Sequence, residues 1–378
     1  MRFIRYAVAL LLILYLLCLP DELFDLPYST VVADRHGELL GARIAADGQW
    51  RFPPCDSVPD KFGSCIIAFE DRHFYHHFGV NPLAIARAIM QNIKAGRIIS
   101  GGSTLTMQIV RLSRGKKRTL WEKLIESVLA TRLECHYTKA QLLAIYASHA
   151  PFGGNVVGLD AAAWRYFGHS ANNLSWAEAA TMAVLPNAPA MIHVSKNREA
   201  LRLKRDRLLR YLLATKVISD TDYDLALSEA LPAEPLPLPQ TASHLVTYYY
   251  KKSEGQHVVS TVDKNLQMQV EMMLDRWHSE FVRSDIRNLA AIIIDVPTNE
   301  VIAYCGNVSP TATNRSSSEQ VDVIHAPRST GSILKPFLYY AALNEGVILP
   351  RTLLPDIPLN INGFVPQNFN MQYDGAVP

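Results

Sequence analysis

The chain has 378 residues, 49% of them hydrophobic, and its 37 Lys and Arg nearly balance 35 Asp and Glu, for a net charge of +2. That is enough apolar chain for two cores, and it excludes both a disordered polymer and a protein drawn to nucleic acid by its overall charge. Cys18, Cys55, Cys65, Cys135 and Cys305 form no CxxC pair and no metal-ligand spacing, so neither a disulfide scaffold nor a zinc module is expected.

Phe3 to Leu19 is a nearly unbroken apolar run with Arg2 and Arg5 at its start. A helix of that length just reaches across a hydrocarbon core of roughly 30 Å, and the basic flank places the N-terminus in the cytoplasm. No small-x-small cleavage site follows, so residues 1–20 read as an uncleaved anchor with everything after Pro20 outside the cytoplasm. Residues 21–61 hold short, scattered apolar stretches and turn signals, which predict a small extended lead-in.

The pattern then becomes helical. Asn81-Pro82 is a start signal and Gly96 a stop signal, predicting a helix from about Pro82 to Ala95. Thr119 with Glu122, Thr138 with Gln141, and Ser175 with Glu178 each have capping-box spacing, which predicts three more helices. Asn197 to Lys216 and Thr221 to Leu231 add two, so residues 62–232 read as a mainly α domain. The proline-rich PAEPLPLPQ at 232–240 opens a linker over 233–257. Val258 to Val262 and the hairpin of Ala290 to Asp295 with Val301 to Tyr304 then predict an α+β module over 258–378, short enough to be incomplete.

Several residues in this frame can do chemistry. Glu70 follows the apolar run Cys65 to Phe69, a low-dielectric setting that suits a carboxyl to accept or give a proton; taken alone, it reads more readily as a solvated helix end. His73, His76 and His77 lack an HExxH pattern, which makes a structural role for His77 near Glu70 the stronger reading than a metal site. Gly101-Gly102-Ser103-Thr104 resembles an anion-binding turn, with a following helix start to offer amides. Arg87, Lys94, Arg97, Arg111, Arg114, Lys116, Lys117, Arg118 and Lys123 surround it in sequence, and their partners would be anionic headgroups or a lipid pyrophosphate. Lys123 and Glu126 share one helix face, either as a surface pair or as the second half of a site begun by Glu70. Ser332 and Lys335 match SxxK, in which one turn of helix sets an amine beside a hydroxyl.

Taken in order, EDRHFYHHFG, GGSTLTMQ, KLIE, TKAQLLAIY and AAAWRYFG resemble the five motifs of the family 51 peptidoglycan glycosyltransferases, found in class A bifunctional penicillin-binding proteins. APFGGN at 150–155 is most similar to the 1C type of that family. The resemblance implies a lysozyme-like α fold, lipid II as substrate and a β-1,4 glycan as product. It implies that Glu70 is the base and Glu126 the second essential carboxylate. Asp71, Phe74, His77, Gly79 and Arg87 would complete the first motif, Asp71, Phe74, His77 and Arg87 as substrate-binding residues, and Ser103, Thr104, Gln108, Arg111 and Lys123 would contact the donor or its pyrophosphate.

Glu122 stands where the third motif usually has Arg, and Ser148 where the fourth usually has Asn, departures that bear on donor affinity. From about residue 258 the chain resembles the start of a penicillin-binding transpeptidase, with Ser332 and Lys335 on its first motif. No Ser follows Ser332 and no Lys follows Lys335, so the expectation is a truncated, inactive transpeptidase. The implied partners are lipid II, the growing glycan strand, membrane lipids and other cell-wall synthesis proteins. No cofactor is required, and whether a divalent cation, Mg or Mn, assists the leaving pyrophosphate is left open by the sequence. A bacterial inner-membrane location with extracytoplasmic catalytic domains follows. The competing readings are an inactive membrane-bound scaffold and a lysozyme-like hydrolase.

Overall fold

The computed structural model describes residues 2–20, 22–97, 101–117, 119–187, 197–308, 320–327 and 329–377, in two compact units, Met1–Ile324 and His325–Pro378. Helix α1 (Arg2–Leu16) is shorter than the apolar run that begins it, at about 22 Å by its rise per residue. Pro20 has no N–H to return to the Leu16 carbonyl, and its ring would clash there. Arg132 takes that carbonyl instead, at 3.2 Å from one terminal nitrogen, while Tyr15 meets Thr131 at 3.1 Å. Among the described residues no helix is long and apolar enough to cross a membrane.

The lead-in is more ordered than a merely extended segment. Strands β1 (Thr30–Ala33) and β2 (Leu39–Arg43) form a hairpin whose turn is closed by Asp34, which accepts from the amides of His36 and Glu38, each at 2.8 Å. Strand β3 (Trp50–Arg51) follows.

The helical body comprises α2 (Asp60–Glu70), α3 (Pro82–Ala95), α4 (Leu105–Arg114), α5 (Leu120–His136), α6 (Lys139–His149), α7 (Leu159–Tyr166), α8 (Trp176–Val184), α9 (Arg198–Ala214) and α10 (Asp220–Ser228). Strands β4 (Pro151–Gly153) and β5 (Val156–Val157) intervene, and β5 pairs in parallel with β3. Helix α8 is built on Ala177, Ala179, Ala180 and Ala183, small enough for α2 and α9 to pack closely against it. Phe62, Ile66, Phe74, Leu105, Met107, Leu133, Leu142 and Tyr146 fill the core around α2, α4, α5 and α6.

Local signals explain most helix ends. Asn81 accepts from the Ala84 amide at 3.0 Å and Gly96 closes α3 with φ of 62°. Thr138 with Gln141 and Ser175 with Glu178 form complete capping boxes. Thr119 forms half of one: it accepts from the Glu122 amide at 3.0 Å, but the Glu122 carboxylate goes to Arg114. A fourth box, Ser219 with Asp222, starts α10 with Asp in place of the usual Glu or Gln.

Beyond the prolines lie α11 (Ser243–Lys252), β6 (His257–Val259), α12 (Lys264–Phe281) and the hairpin β7 (Ala291–Asp295) with β8 (Glu300–Cys305). Strand β6 pairs in parallel with β1, so the lead-in is sheet-bonded to a segment more than two hundred positions away. Gln267 of α12 is buried and bonds the Tyr304 backbone on both sides, N at 2.7 Å and O at 2.9 Å. The second unit carries α13 (Lys335–Asn344) and the antiparallel pair β9 (Leu354–Asp356) and β10 (Gly375–Val377); none of its described residues is buried.

Candidate active site

Glu70 is the last residue of α2, and its Oε2 accepts from Gln108 Nε2 at 2.7 Å. Gln108 lies mid-way along α4, so the chemistry depends on how that helix is held. Thr104 caps α4, accepting from the Met107 amide at 3.2 Å while its hydroxyl donates to the Gly79 carbonyl at 2.6 Å. Asp71 Oδ2 accepts from the Leu105 amide at 3.1 Å and lies 2.9 Å from His77 Nε2. The Asp71 and His77 side chains are both buried. His77 therefore partners Asp71 rather than Glu70.

These bonds differ from the anion-turn expectation in one respect. The Leu105 and Met107 amides are already taken by Asp71 and Thr104, so the α4 start does not offer them to a phosphate. What approaches the turn is a side chain: Arg111 donates to Ser103 Oγ at 3.2 Å. The same guanidinium forks onto Glu126 at 2.9 and 2.7 Å, and the Glu126 side chain is only 6% exposed. A bidentate pair of this kind sets both position and charge.

Two glycines make the close approaches possible. A Cβ on Gly79, at φ of 78°, would sit 2.6 Å from the Ala130 carbonyl carbon and oxygen, and one on Gly102 would sit 2.8 Å from Ile85 Cα. A cleft of about 380 Å³ is lined by Glu70, Asp71, Arg87, Gln91, Gly101, Gly102, Ser103 and Thr104. Arg87 is exposed on α3, and Lys123 is half-buried one turn before Glu126 on α5. Beneath Glu70, burial pushes the Tyr146 phenol far above its ordinary value, and the Glu70 charge adds to the effect.

Three sequence expectations change. Phe74 is fully buried, edge-on to Tyr75 and His77, and so packs the loop instead of touching a substrate. Thr104 is 2% exposed, with its hydroxyl committed to Gly79 and Met107. Ser148 is buried as well: it donates to the Ala144 carbonyl at 2.8 Å, accepts from the Cys55 amide at 3.2 Å, and lies outside the cleft lining. Among the described residues no group of three His, Cys, Asp or Glu could hold a metal ion.

Sequence reasoning passed over a buried cluster behind α4. Glu134, with a side chain 3% exposed, accepts from Thr106 and from Lys139, each at 2.7 Å. Lys139 also donates to the His77 carbonyl at 2.9 Å and lies 4.5 Å from the Phe74 ring centroid. The cluster ties α4, α5 and α6 to the loop after Glu70. In the sequence Thr106 and Lys139 are marked only by lying within the motif stretches GGSTLTMQ and TKAQLLAIY, among other polar residues.

Comparison with known proteins sets this geometry in context. Residues 37–212 match the family model described as transglycosylase. The chain is similar to penicillin-binding protein 1C of Escherichia coli (strain K12), 35% identical over 94% of this chain and 47% of that protein. It is 28% identical to penicillin-binding protein 1B of Vibrio cholerae over 85% of this chain and 44% of that one. Penicillin-binding protein 1A of Aquifex aeolicus is 35% identical over 56% of this chain and 30% of its own length. The chain thus spans about half the length or less of these curated relatives.

Proposed function

We propose that the chain is a peptidoglycan glycosyltransferase of the penicillin-binding protein family that polymerises lipid II, a reading supported by its match to the transglycosylase family model and its similarity to penicillin-binding protein 1C. The observation that carries the reading is α4, which brings Gln108 to Glu70 and, one turn later, Arg111 to both Ser103 and Glu126. One rigid helix therefore spaces a proton acceptor from a cationic anion-holder.

In the proposed reaction Glu70 takes the proton from the 4-hydroxyl of the acceptor N-acetylglucosamine. That oxygen bonds to C1 of the donor sugar, the bond from C1 to the pyrophosphate oxygen breaks, and its electrons leave on undecaprenyl pyrophosphate. One displacement inverts the anomeric centre, giving a β-1,4 linkage. Ser103, Arg111 and Lys123 would meet the charge growing on the pyrophosphate, with Glu126 fixing Arg111. Asp71, His77 and Thr104 hold α4, and Arg87 presents its charge from the facing wall.

Apolar surface near the cleft supports a membrane setting. Leu83, Met90 and Ile93 of α3 and Leu120, Trp121 and Leu124 of α5 are exposed, as are Phe3, Leu10 and Leu17 in and just beyond α1. We assign residues 1–20 as the anchor in the bacterial inner membrane, with the catalytic part outside the cytoplasm. Residues 258–378 are read as belonging to a transpeptidase domain, with Ser332 and Lys335 on its first motif.

The test is incubation of the purified protein with lipid II, with glycan chains resolved on a gel. Glu70→Gln is expected to slow synthesis by about 10²–10⁴-fold, the usual contribution of a general base. Equal synthesis by Glu70→Gln would remove Glu70 as the base. No synthesis by the unaltered protein would favour a scaffold, and shortening of finished glycan would favour a hydrolase.

A further inference from the structure

One turn beyond Arg111, the proposed reaction leaves an ion pair without a role. Arg114 ends α4, and its Nε and one terminal nitrogen donate to the two Glu122 oxygens at 2.9 and 3.1 Å. The arrangement repeats the fork of Arg111 on Glu126: basic residues 111 and 114 of α4 face acidic residues 126 and 122 of α5. Glu122 lies in the first turn of α5, where the helix dipole also favours an anion. Arg114 holds its carboxyl below the ordinary carboxylate range, and Lys116 acts in the same direction. Arg114 follows Arg111 by three residues on α4, which puts the two on one face of the helix, and the Glu126 charge acts on Arg114 as well.

The cost of this arrangement is the capping box. Glu122 has the spacing to reach back to the Thr119 amide and close it, yet its carboxylate turns to Arg114. A bidentate fork between two charged groups outweighs a single carboxylate-to-amide bond, so the local signal loses.

We propose that Glu122 is a latch that keeps Arg114 off the donor pyrophosphate, a positioning residue that sets donor affinity; this rests on the glycosyl-transfer reading of the cleft. A guanidinium forked on a carboxylate presents little net charge to a third group, and an arriving pyrophosphate must compete with that carboxylate. A cation that grips the pyrophosphate equally before and after the bond breaks lowers KM without raising kcat, and it slows departure of the product. Holding Arg114 in reserve limits that grip.

Glu122→Gln preserves the backbone cap and removes the charge. It is expected to lower KM for lipid II by about two- to fivefold with kcat no higher, the size of one exposed charge pair. Flotation with phosphatidylcholine vesicles carrying undecaprenyl pyrophosphate should show tighter binding by the same factor. In an Arg114→Met background the Glu122→Gln change should alter neither value, and the unfolding temperature should stay near that of the unaltered protein. Unchanged KM and vesicle affinity would overturn the latch, as would an equal effect in the Arg114→Met background. If the unaltered protein makes no glycan, the reading of the cleft fails by itself, and the vesicle measurement still decides the latch.

Discussion

Glu70 and Ser332 each sit in a short sequence motif at the edge of a helical segment, and their surroundings differ throughout. Glu70 ends α2, bonded to Gln108 on a helix that Asp71, Thr104, Arg111 and the Glu134 cluster hold from several sides. Ser332 lies in the turn Gly331–Leu334, with Lys335 opening α13; both residues are exposed and no described residue of their unit is buried. Spacing brings two groups near each other, but buried partners fix the distance and orientation on which a reaction depends.

The strongest way to break this comparison is to remove a buried partner from the first region. Arg111→Met leaves the Glu126 carboxylate buried and unpaired, and it is expected to cost about 3–5 kcal/mol of stability. Glycan synthesis should fall by about 10²–10³-fold, as when one charge-stabilising donor is lost. Urea unfolding and the lipid II assay read the two effects. Arg111→Lys keeps the charge but not the fork, so it should recover part of the stability and less of the rate. If Arg111→Met were as stable as the unaltered chain, burial of the pair would not be what holds this region.

A backbone test comes next in size. Gly79→Ala would place a methyl 2.6 Å from the Ala130 carbonyl in a left-handed conformation, with an expected cost of about 2–3 kcal/mol in urea unfolding. The Thr104 bond to the Gly79 carbonyl would loosen with it, so glycan synthesis should fall too. A substitution without effect on either measurement would show that the loop moves freely against α5.

How much of this was open to sequence reasoning depends on how local the cause is. Helix α3 is legible to the residue because Asn81, Pro82 and Gly96 act within one turn. Two of the three capping boxes close for the same reason, and the third fails because Arg114, eight positions away and on another helix, competes for Glu122. The β1–β6 pairing and the cluster of Thr106, Glu134 and Lys139 join residues that no period or spacing relates. Phe74 shows the converse. Motif position suggested substrate contact, whereas its full burial makes it packing, and only the folded core distinguishes the two. Ser148 likewise departs from the motif inside the core, where it serves Cys55 and Ala144.

A smaller effect sharpens the picture of what seals the helical body at the lead-in. His149 stacks on Phe24 with ring centroids 3.7 Å apart, and its Nδ1 lies 2.9 Å from the Ile145 carbonyl. A carbonyl can only accept, so Nδ1 carries the proton and Nε2 accepts from the Tyr28 hydroxyl at 3.1 Å. Burial pushes the imidazole below its ordinary 6.5, which means the unfolded chain takes up a proton that the folded one resists. Stability from this group is full above pH 6.5 and falls as pH drops through 6.5 toward the lower folded value, by at most about 1.4 kcal/mol per pH unit. His149→Gln should flatten that portion of the pH profile. Parallel profiles for the two proteins would remove His149 as the cause.

The smallest expected effect is none, and it bears directly on Ser332. The hydroxyl needs a base held beside it and donors aimed at the acyl oxygen, and an exposed serine and lysine at a helix start supply proximity without either constraint. Labelled penicillin should therefore leave Ser332 unmodified, and Ser332→Ala should change neither labelling nor glycan synthesis. A stable adduct on Ser332, located by peptide mapping, would mean that motif spacing is sufficient in this chain. The contrast between the two regions would then lie in their substrates and not in how their side chains are held.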